Sequence, residues 1–349
     1  MEPFAGFRGG RQYFERKRRA FARRFSFDVD PTRDRATPAP GIRMIGWGLC
    51  CLVLDTAIKF RSATHAYVWR LSEEDRQAYL NGIALENAKS LIDVLCYCQA
   101  LDIRAFRVSS SIFPLATHPL SRYRLESLPD GDEVRRRLEI AGNVAARADI
   151  RLSFHPDQFV VLNSLRPEVV ESSIRELEWQ AEIAEIIGAD VLCLHGGSAQ
   201  GGVEEAANRL IGAIERLSVR ARLRLALEND DRCFSAADLL PVCLATGVPL
   251  VLDAHHHRVI TGDLSIEEAT DWALASWGDR EPYFHMSSPR DGWMSGDPRP
   301  HADYIDPADV PAYWRAIPRL TVDVEAKAKE RAVLAIRNVR RGGSTIPSP

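Results

Sequence analysis

The run Asp190-Val-Leu-Cys-Leu-His195, followed at once by Gly196-Gly197, decides the fold. Four consecutive apolar residues ending on an imidazole read as a strand buried on both faces, since a half-exposed strand would alternate apolar with polar positions. Runs of the same kind recur at 42–48, 105–110, 151–155, 223–228, 249–253, 282–287 and 320–325. Between them lie stretches at helical spacing: 83–101, 132–148, 167–187, 203–218, 235–245, 265–276 and 329–340. Eight strands alternating with helices predict an α/β fold, a (β/α)8 TIM barrel. A doubly wound open sheet is the competing architecture. It is weakened by the absence of G-x-G-x-x-G after the first strand and of any G-x-x-x-x-G-K-[ST], which also argues against a nucleotide cofactor.

The chain of 349 residues is 46% hydrophobic, so a core of barrel size is available. Its 45 basic and 48 acidic side chains leave a formal charge of −3, which excludes wholesale electrostatic attraction to nucleic acid. The distribution is uneven: residues 1–40 hold ten Arg and Lys against five acids. With Pro31, Pro38, Pro40 and Gly41 and no sustained apolar period, residues 1–41 read as a basic, flexible N-terminal arm. The barrel is expected over 42–340, with a disordered tail at 341–349. Seven cysteines, an odd number without C-x-x-C spacing, sit mostly in apolar runs and read as small hydrophobes in a reducing compartment. The longest membrane candidate, 45–54, runs into Asp55 and is far shorter than the roughly 20 residues a bilayer requires. The start lacks the apolar stretch of a secretory signal; its Arg-rich, Phe-dotted character can mimic a transit peptide, the lesser reading.

Chemistry is concentrated at the strand ends. Strand three ends in His155, strand four in His195, strand five in Glu228 and strand six in Asp253, ahead of His255, His256 and His257. Strand seven contains His285, and strand eight ends in Glu325. A parallel barrel points all strand C-termini to one rim, which gathers these donors into a metal-binding constellation. Imidazole and carboxylate donors without thiolate suit Mn²⁺, Mg²⁺, Fe²⁺ or catalytic Zn²⁺. The donors exceed the needs of one ion; two or three ions sharing a bridging carboxylate such as Glu228 would serve phosphate-ester hydrolysis. Each residue also has a plain structural reading, a hydrogen-bonded strand-end His or a helix-capping acid. On an extended segment alternate side chains face opposite ways, so His255, His256 and His257 cannot all serve. His301 and His118 lie in loops that reach the rim, and His65 reads as solvated. The long segments 49–82 and 111–131 are candidate groove loops, and the Gly196-Gly197 and Gly201-Gly202 pairs read as turn chemistry.

A set of motifs in one order then resembles the UV damage endonucleases. They are Arg107-Val-Ser-Ser110, Phe113-Pro-Leu-Ala-Thr-His-Pro119, Phe154-His-Pro-Asp-Gln-Phe-Val-Val-Leu-Asn-Ser164, Leu194-His-Gly-Gly197 and Leu227-Glu-Asn229. Leu252-Asp253 with His255-His256, His285-Met-Ser-Ser288, His301-Ala-Asp303-Tyr304 and Val324-Glu-Ala-Lys327 complete it, over about 42–340. The resemblance implies a TIM barrel holding up to three divalent ions, usually Mn²⁺ with Zn²⁺ or Mg²⁺ as alternatives. It would nick double-stranded DNA on the 5′ side of UV photoproducts and other distortions, as a cytoplasmic, nucleoid-associated monomer. Metal ligands are implied at His155, His195, Glu228, Asp253, His256, His285, His301 and Glu325, with His118 beside them; Glu228, His155 and Glu325 carry the catalysis. Gln158 and Phe159 would probe the gap opposite a flipped lesion, with Trp47 and Asn163 also on the DNA side.

Three positions depart from the family pattern. Trp47 stands where Tyr is common, Ser111 where a carboxylate is expected, and Tyr283 where a bridging, carboxylated Lys often lies two residues before the strand-seven His. Tyr283 cannot carry that modification, which implies altered ion bridging. Two other functions are weighed against the endonuclease: a metal-dependent barrel hydrolase or isomerase on a small phosphoester or sugar, and a lesion-binding relative with impaired catalysis.

Overall fold

The eight apolar runs become eight parallel strands. The structure, a computed structural model, describes residues 45–340, so the basic arm and the C-terminal tail lie outside the described residues. The strands are β1 (Gly46–Cys50), β2 (Ala105–Ser109), β3 (Arg151–His155), β4 (Val191–His195), β5 (Leu225–Glu228), β6 (Leu250–Val251), β7 (Tyr283–Met286) and β8 (Thr321–Val324). Their order is β6-β5-β4-β3-β2-β1-β8-β7. The ring closes between β6 and β7 through a parallel bridge of Asp253 with His285 and a 3.1 Å bond from the His285 amide to the Leu252 carbonyl. Strands buried on both faces explain the runs: Leu225, Ala226 and Leu227 have no exposed surface, and neither do Phe106, Val108 or Phe284.

Helices follow the strands, with local chemistry setting their ends. The helix Pro167–Ile187 begins with Pro at its first turn and stops at Gly188, whose φ of 74° is left-handed. Ser235 and Ser265 form capping boxes with Asp238 and Glu268 for the helices Ala236–Thr246 and Ile266–Trp277.

Some boundaries differ from the sequence reading. The helix expected at 83–101 runs Glu73–Ala100, because Ser72 accepts the Asp75 amide at 3.1 Å and three acids fill the first turn. The helix expected at 203–218 ends at Glu215, and a separate short helix, Val219–Arg222, follows it from a Ser218 cap. The segment after β6, read as extended, is the short helix Ala254–Val259, started by the Asp253 carboxylate accepting the His256 amide at 2.7 Å. Of the first strand, expected over 42–48, residues 42–44 lie outside the described residues; the strand runs Gly46–Cys50, with Gly46 paired with Thr321.

The two long loops are pinned by one buried amide. Asn87 Nδ2 donates to the Arg61 carbonyl at 2.9 Å and to the Ile112 carbonyl at 2.7 Å, tying both loops to the long helix. Gly48 is required inside the barrel, since a Cβ there would collide with the Asp323 carboxylate.

Candidate metal centre

Glu228, the last residue of β5, is the hub. It has no exposed surface and is ringed by imidazoles from three other strands and from the Ala254–Val259 helix. His155 Nε2 lies 2.8 Å from Glu228 Oε2 and His195 Nε2 3.3 Å from it, while His285 Nδ1 and His256 Nδ1 lie 2.9 and 3.5 Å from Oε1. Parallel strands with register His195 against Glu228 and Asp253 against His285 deliver these side chains to one rim.

The helix after β6 settles the three consecutive histidines. Successive residues of a helix point about 100° apart, not 180°. His256 turns to Glu228, its Nδ1 also 3.0 Å from the Asn229 carbonyl and 3.9 Å from Asp253 Oδ1. His255 packs on Trp293 and His301, with ring centroids 5.0 and 5.3 Å away. His257 is buried apart from the hub. At the opposite side Glu325 meets His285 Nδ1 at 3.5 Å and His301 Nδ1 at 3.7 Å.

Below this rim runs an inner polar layer, of which the sequence analysis singled out Tyr283 but not its partners. A strand places residues i and i−2 on the same face, so the positions two before His155, His195, His285 and Glu325 also point into the barrel. They are Ser153, Cys193, Tyr283 and Asp323. Arg107 of β2 joins them. Its guanidinium donates to Asp323 Oδ2 at 2.8 Å, lies 2.6 Å from Glu325 Oε1, and reaches His285 Nε2 at 2.8 Å. Tyr283 donates its hydroxyl to the same Asp323 oxygen and lies 2.6 Å from Ser153 Oγ. The Tyr283 departure thus builds a phenol, carboxylate and guanidinium network under the donors. A charge inside the apolar run AFRVS was the sequence signal for Arg107, because a buried strand carries a charge only when a partner awaits it.

The electrostatics hold the donors in opposite states. Burial pushes the Glu228 carboxyl up, but His285 and His195 outweigh it, leaving its pKa well below the usual carboxylate range. Burial also opposes ionisation of Glu325, and Arg107 and His285 overcome it. Burial would lower His256; Asp253 and Glu228 raise it instead, to about 9. His155, for which burial dominates, is lowered.

Several buried atoms of this set have no aligned hydrogen bond among the described residues: Glu228 Oε1, His285 Nδ1, Asp253 Oδ2 and Asp323 Oδ1. Such atoms cost of order 1–3 kcal/mol each unless something else satisfies them. Two groups could hold a divalent ion, His155 with Cys193, Glu228 and His285, and His195 with Glu228 and His256, the donor atoms within each group lying within 4.8 Å of one another. A cation fits the orphaned lone pairs, and the donor set is of the kind that metals take. A pH dependence follows. Protonated His256 cannot ligate, so below about pH 9 an entering ion must displace its proton. Mn²⁺ affinity should therefore fall about tenfold per pH unit from 9 towards 7, and a calorimetric titration giving a flat profile would contradict this.

Not every expected residue reaches the rim. Trp47 lies near the N-terminal end of β1, is 5% exposed and faces the far end of the barrel, so it cannot touch DNA bound at the mouth. The pairing of Gly46 with Thr321 places it there. Asn163 has no exposed surface; its amide donates to the Gly196 and Ser198 carbonyls at 2.9 and 3.0 Å and ties the loops after β3 and β4 together. Gly197 at φ 87° makes that turn. His118 belongs to neither donor group. It stacks on His65 at 4.3 Å, and His65, read as solvated, is half-buried with its Nδ1 2.6 Å from Ser121 Oγ. Ser111 is exposed, 3.0 Å from Ser109 Oγ. Gln158 and Phe159 do stand out from the loop after β3, Phe159 with 76% of its surface exposed. A cleft of about 340 Å³ opens beside them, lined by Ser111, His118, Asp157, Phe159, Glu176 and Trp179 among others. The larger cleft, about 940 Å³, is at the opposite end of the strands and holds none of the donors.

Fold and site define a (β/α)8-barrel enzyme with a cluster of side chains at its mouth that could hold a metal. The sequence profile of the UV-endonuclease UvdE family matches residues 45–342. A UV DNA damage endonuclease of Deinococcus radiodurans is 39% identical over 304 residues, covering 83% of this chain and 94% of that protein. One from Nostoc sp. strain PCC 7120 is 31% identical, covering 83% and 89%. The crystal structure of SacUVDE superposes with a TM-score of 0.75 at 29% identity, over 85% of this chain and 98% of that one. Endonuclease IV from Thermus thermophilus, at 16% identity and a TM-score of 0.55, over 85% of this chain and 99% of that one, shares the fold. The chain belongs to the UvdE family of DNA-repair endonucleases. Its membership sets aside the small-molecule hydrolase or isomerase reading. Among the described residues no helix is long and apolar enough to cross a membrane.

Proposed function

We propose that the protein is a metal-dependent endonuclease that hydrolyses a phosphodiester of double-stranded DNA on the 5′ side of UV photoproducts and other distorting lesions. It would act as a monomer in the cytoplasm, at the nucleoid; the seven free cysteines suit a reducing compartment. The observation that carries the proposal is the buried Glu228 carboxylate ringed by His155, His195, His256 and His285, with an exposed Gln158-Phe159 pair on the neighbouring loop. Two or three divalent ions, Mn²⁺ foremost, would be held by His155, His195, Glu228, Asp253, His256, His285, His301 and Glu325. Bound ions of this kind lower the pKa of a water into attacking range and neutralise charge on phosphate oxygens.

The chain's own residues do the rest. Glu228, itself without exposed surface, stays ionised and offers one oxygen to each side of the cluster. Arg107 holds Glu325 and His285 in place from below. Asp253 caps the helix that carries His256 and so aims it. Phe159 offers a π-face to the hole left by an everted lesion, and Gln158 an amide for the orphaned bases. The arm at 1–41 would add sequence-independent phosphate contacts.

Purified protein with Mn²⁺ should nick ultraviolet-irradiated plasmid and leave unirradiated plasmid closed. Equal nicking of both forms would remove lesion specificity, and nicking of neither would favour the binding-only relative that Tyr283 suggests. Phe159→Ala should weaken binding of lesion duplex by roughly 1–3 kcal/mol, the worth of one stacked base, while undamaged duplex changes little. Equal losses on both duplexes, by fluorescence anisotropy, would take Phe159 out of lesion reading.

A further inference from the structure

The cysteine of the fold-deciding strand does more than fill space. Cys193 lies two residues before His195 on β4, on the same inward face, with 1% of its surface exposed. Its Sγ is 3.2 Å from Glu228 Oε2, and it completes a group with His155, Glu228 and His285 whose donor atoms all lie within 4.8 Å of one another. A second observation points to the same spot. Glu228 Oε1 and His285 Nδ1 have no exposed surface and no aligned hydrogen bond, although they lie only 2.9 Å apart. Two nitrogens, a carboxylate oxygen and a sulfur within 4.8 Å of one another make a four-donor set. The other group, His195 with Glu228 and His256, offers nitrogen and oxygen alone.

We propose that this inner group binds a thiophilic divalent cation of the Zn²⁺ type with Cys193 Sγ as a ligand, so that Glu228 is shared between a sulfur-containing inner site and a nitrogen and oxygen outer site. The inference rests on reading the barrel mouth as a metal centre. A thiolate selects Zn²⁺, whereas a site of nitrogen and oxygen donors alone also accepts Mn²⁺, so the sulfur makes the two positions differ in preference. On binding, the Cys193 S–H bond breaks, its proton leaves to the buffer, and the sulfur lone pair forms the bond to the cation; nothing is oxidised or reduced.

Co²⁺ is the probe, because bound to sulfur it gives a near-ultraviolet charge-transfer band in addition to its visible bands. Full-length protein stripped with chelator and titrated with CoCl₂ should develop both, and Zn²⁺ but not Mn²⁺ should abolish the charge-transfer band. Cys193→Ser should lose that band and keep visible absorption, while Cys50→Ser, at a thiol bonded instead to the Val324 carbonyl, should keep both. After dialysis against equimolar Zn²⁺ and Mn²⁺, the bound Zn-to-Mn ratio should fall about tenfold or more in Cys193→Ser. Visible bands without charge transfer in the wild type would overturn the sulfur ligand and leave the metal centre standing. No cobalt binding would overturn both. A band that survives in Cys193→Ser would assign the sulfur elsewhere and overturn the proposal. Should the serine variant not fold, Cys193→Ala takes its place, and the wild-type spectrum decides by itself.

Discussion

Glu228→Gln should lower nicking of irradiated DNA by about a thousandfold, the scale of loss when one preorganised electrostatic stabiliser is removed. The amide keeps the size of the carboxylate but not its charge. That charge is what four imidazoles face, at 2.8, 3.3, 2.9 and 3.5 Å. Without it His256 loses one of the three carboxylates that raise it to about 9, and the raised His195 loses its main partner. Metal content should fall with activity. Binding of lesion duplex should not, because Glu228 has no exposed surface with which to touch DNA. Nicking within tenfold of wild type would take Glu228 out of the mechanism, and a parallel loss of duplex affinity would mean that the substitution disturbs the whole mouth.

Arg107→Ala should cost about 3–5 kcal/mol of stability in the metal-free protein, measured by denaturant unfolding. The guanidinium is 7% exposed and faces Asp323, with no exposed surface, and Glu325. Removing it strands the buried Asp323 and half-buried Glu325 carboxylates and leaves the Tyr283 phenol donating into an uncompensated charge. Arg107→Lys should recover only part, since one ammonium cannot span Asp323, Glu325 and His285 as the planar fork does. Adding Asp323→Leu to Arg107→Ala should restore some of the loss, because the pair is removed rather than broken. A cost under about 1 kcal/mol for Arg107→Ala would show that the inner network contributes little beyond what burial already supplies.

Much of the rim was legible in the chain. His155, His195, Glu228, Asp253, His285 and Glu325 each end or follow an apolar run, and parallel strands have no choice but to present their C-terminal ends together. The inner layer was harder to see, although period-two alternation marks Ser153, Cys193, Tyr283 and Asp323 as inward-facing. A cysteine in an apolar run looks like a small hydrophobe until the partner across the barrel is known. Trp47 and Asn163 misled for a related reason. An aromatic near a strand and an amide in a motif advertise chemistry, but strand register buried the first and loop stitching used the second.

Sequence by itself determined the strand and helix rhythm, the helix caps and the list of donors, because these follow from side-chain period, backbone propensity and chain direction over a few residues. Only the tertiary structure decided which donors meet. Barrel closure brings Asp253 against His285, and the short helix Ala254–Val259, rather than an extended strand, aims His256 at Glu228. Arg107 likewise finds Asp323, 216 residues away, across the barrel interior. Such pairings depend on strand register and on the exclusion of water from the barrel, which are properties of the closed sheet and not of any segment within it.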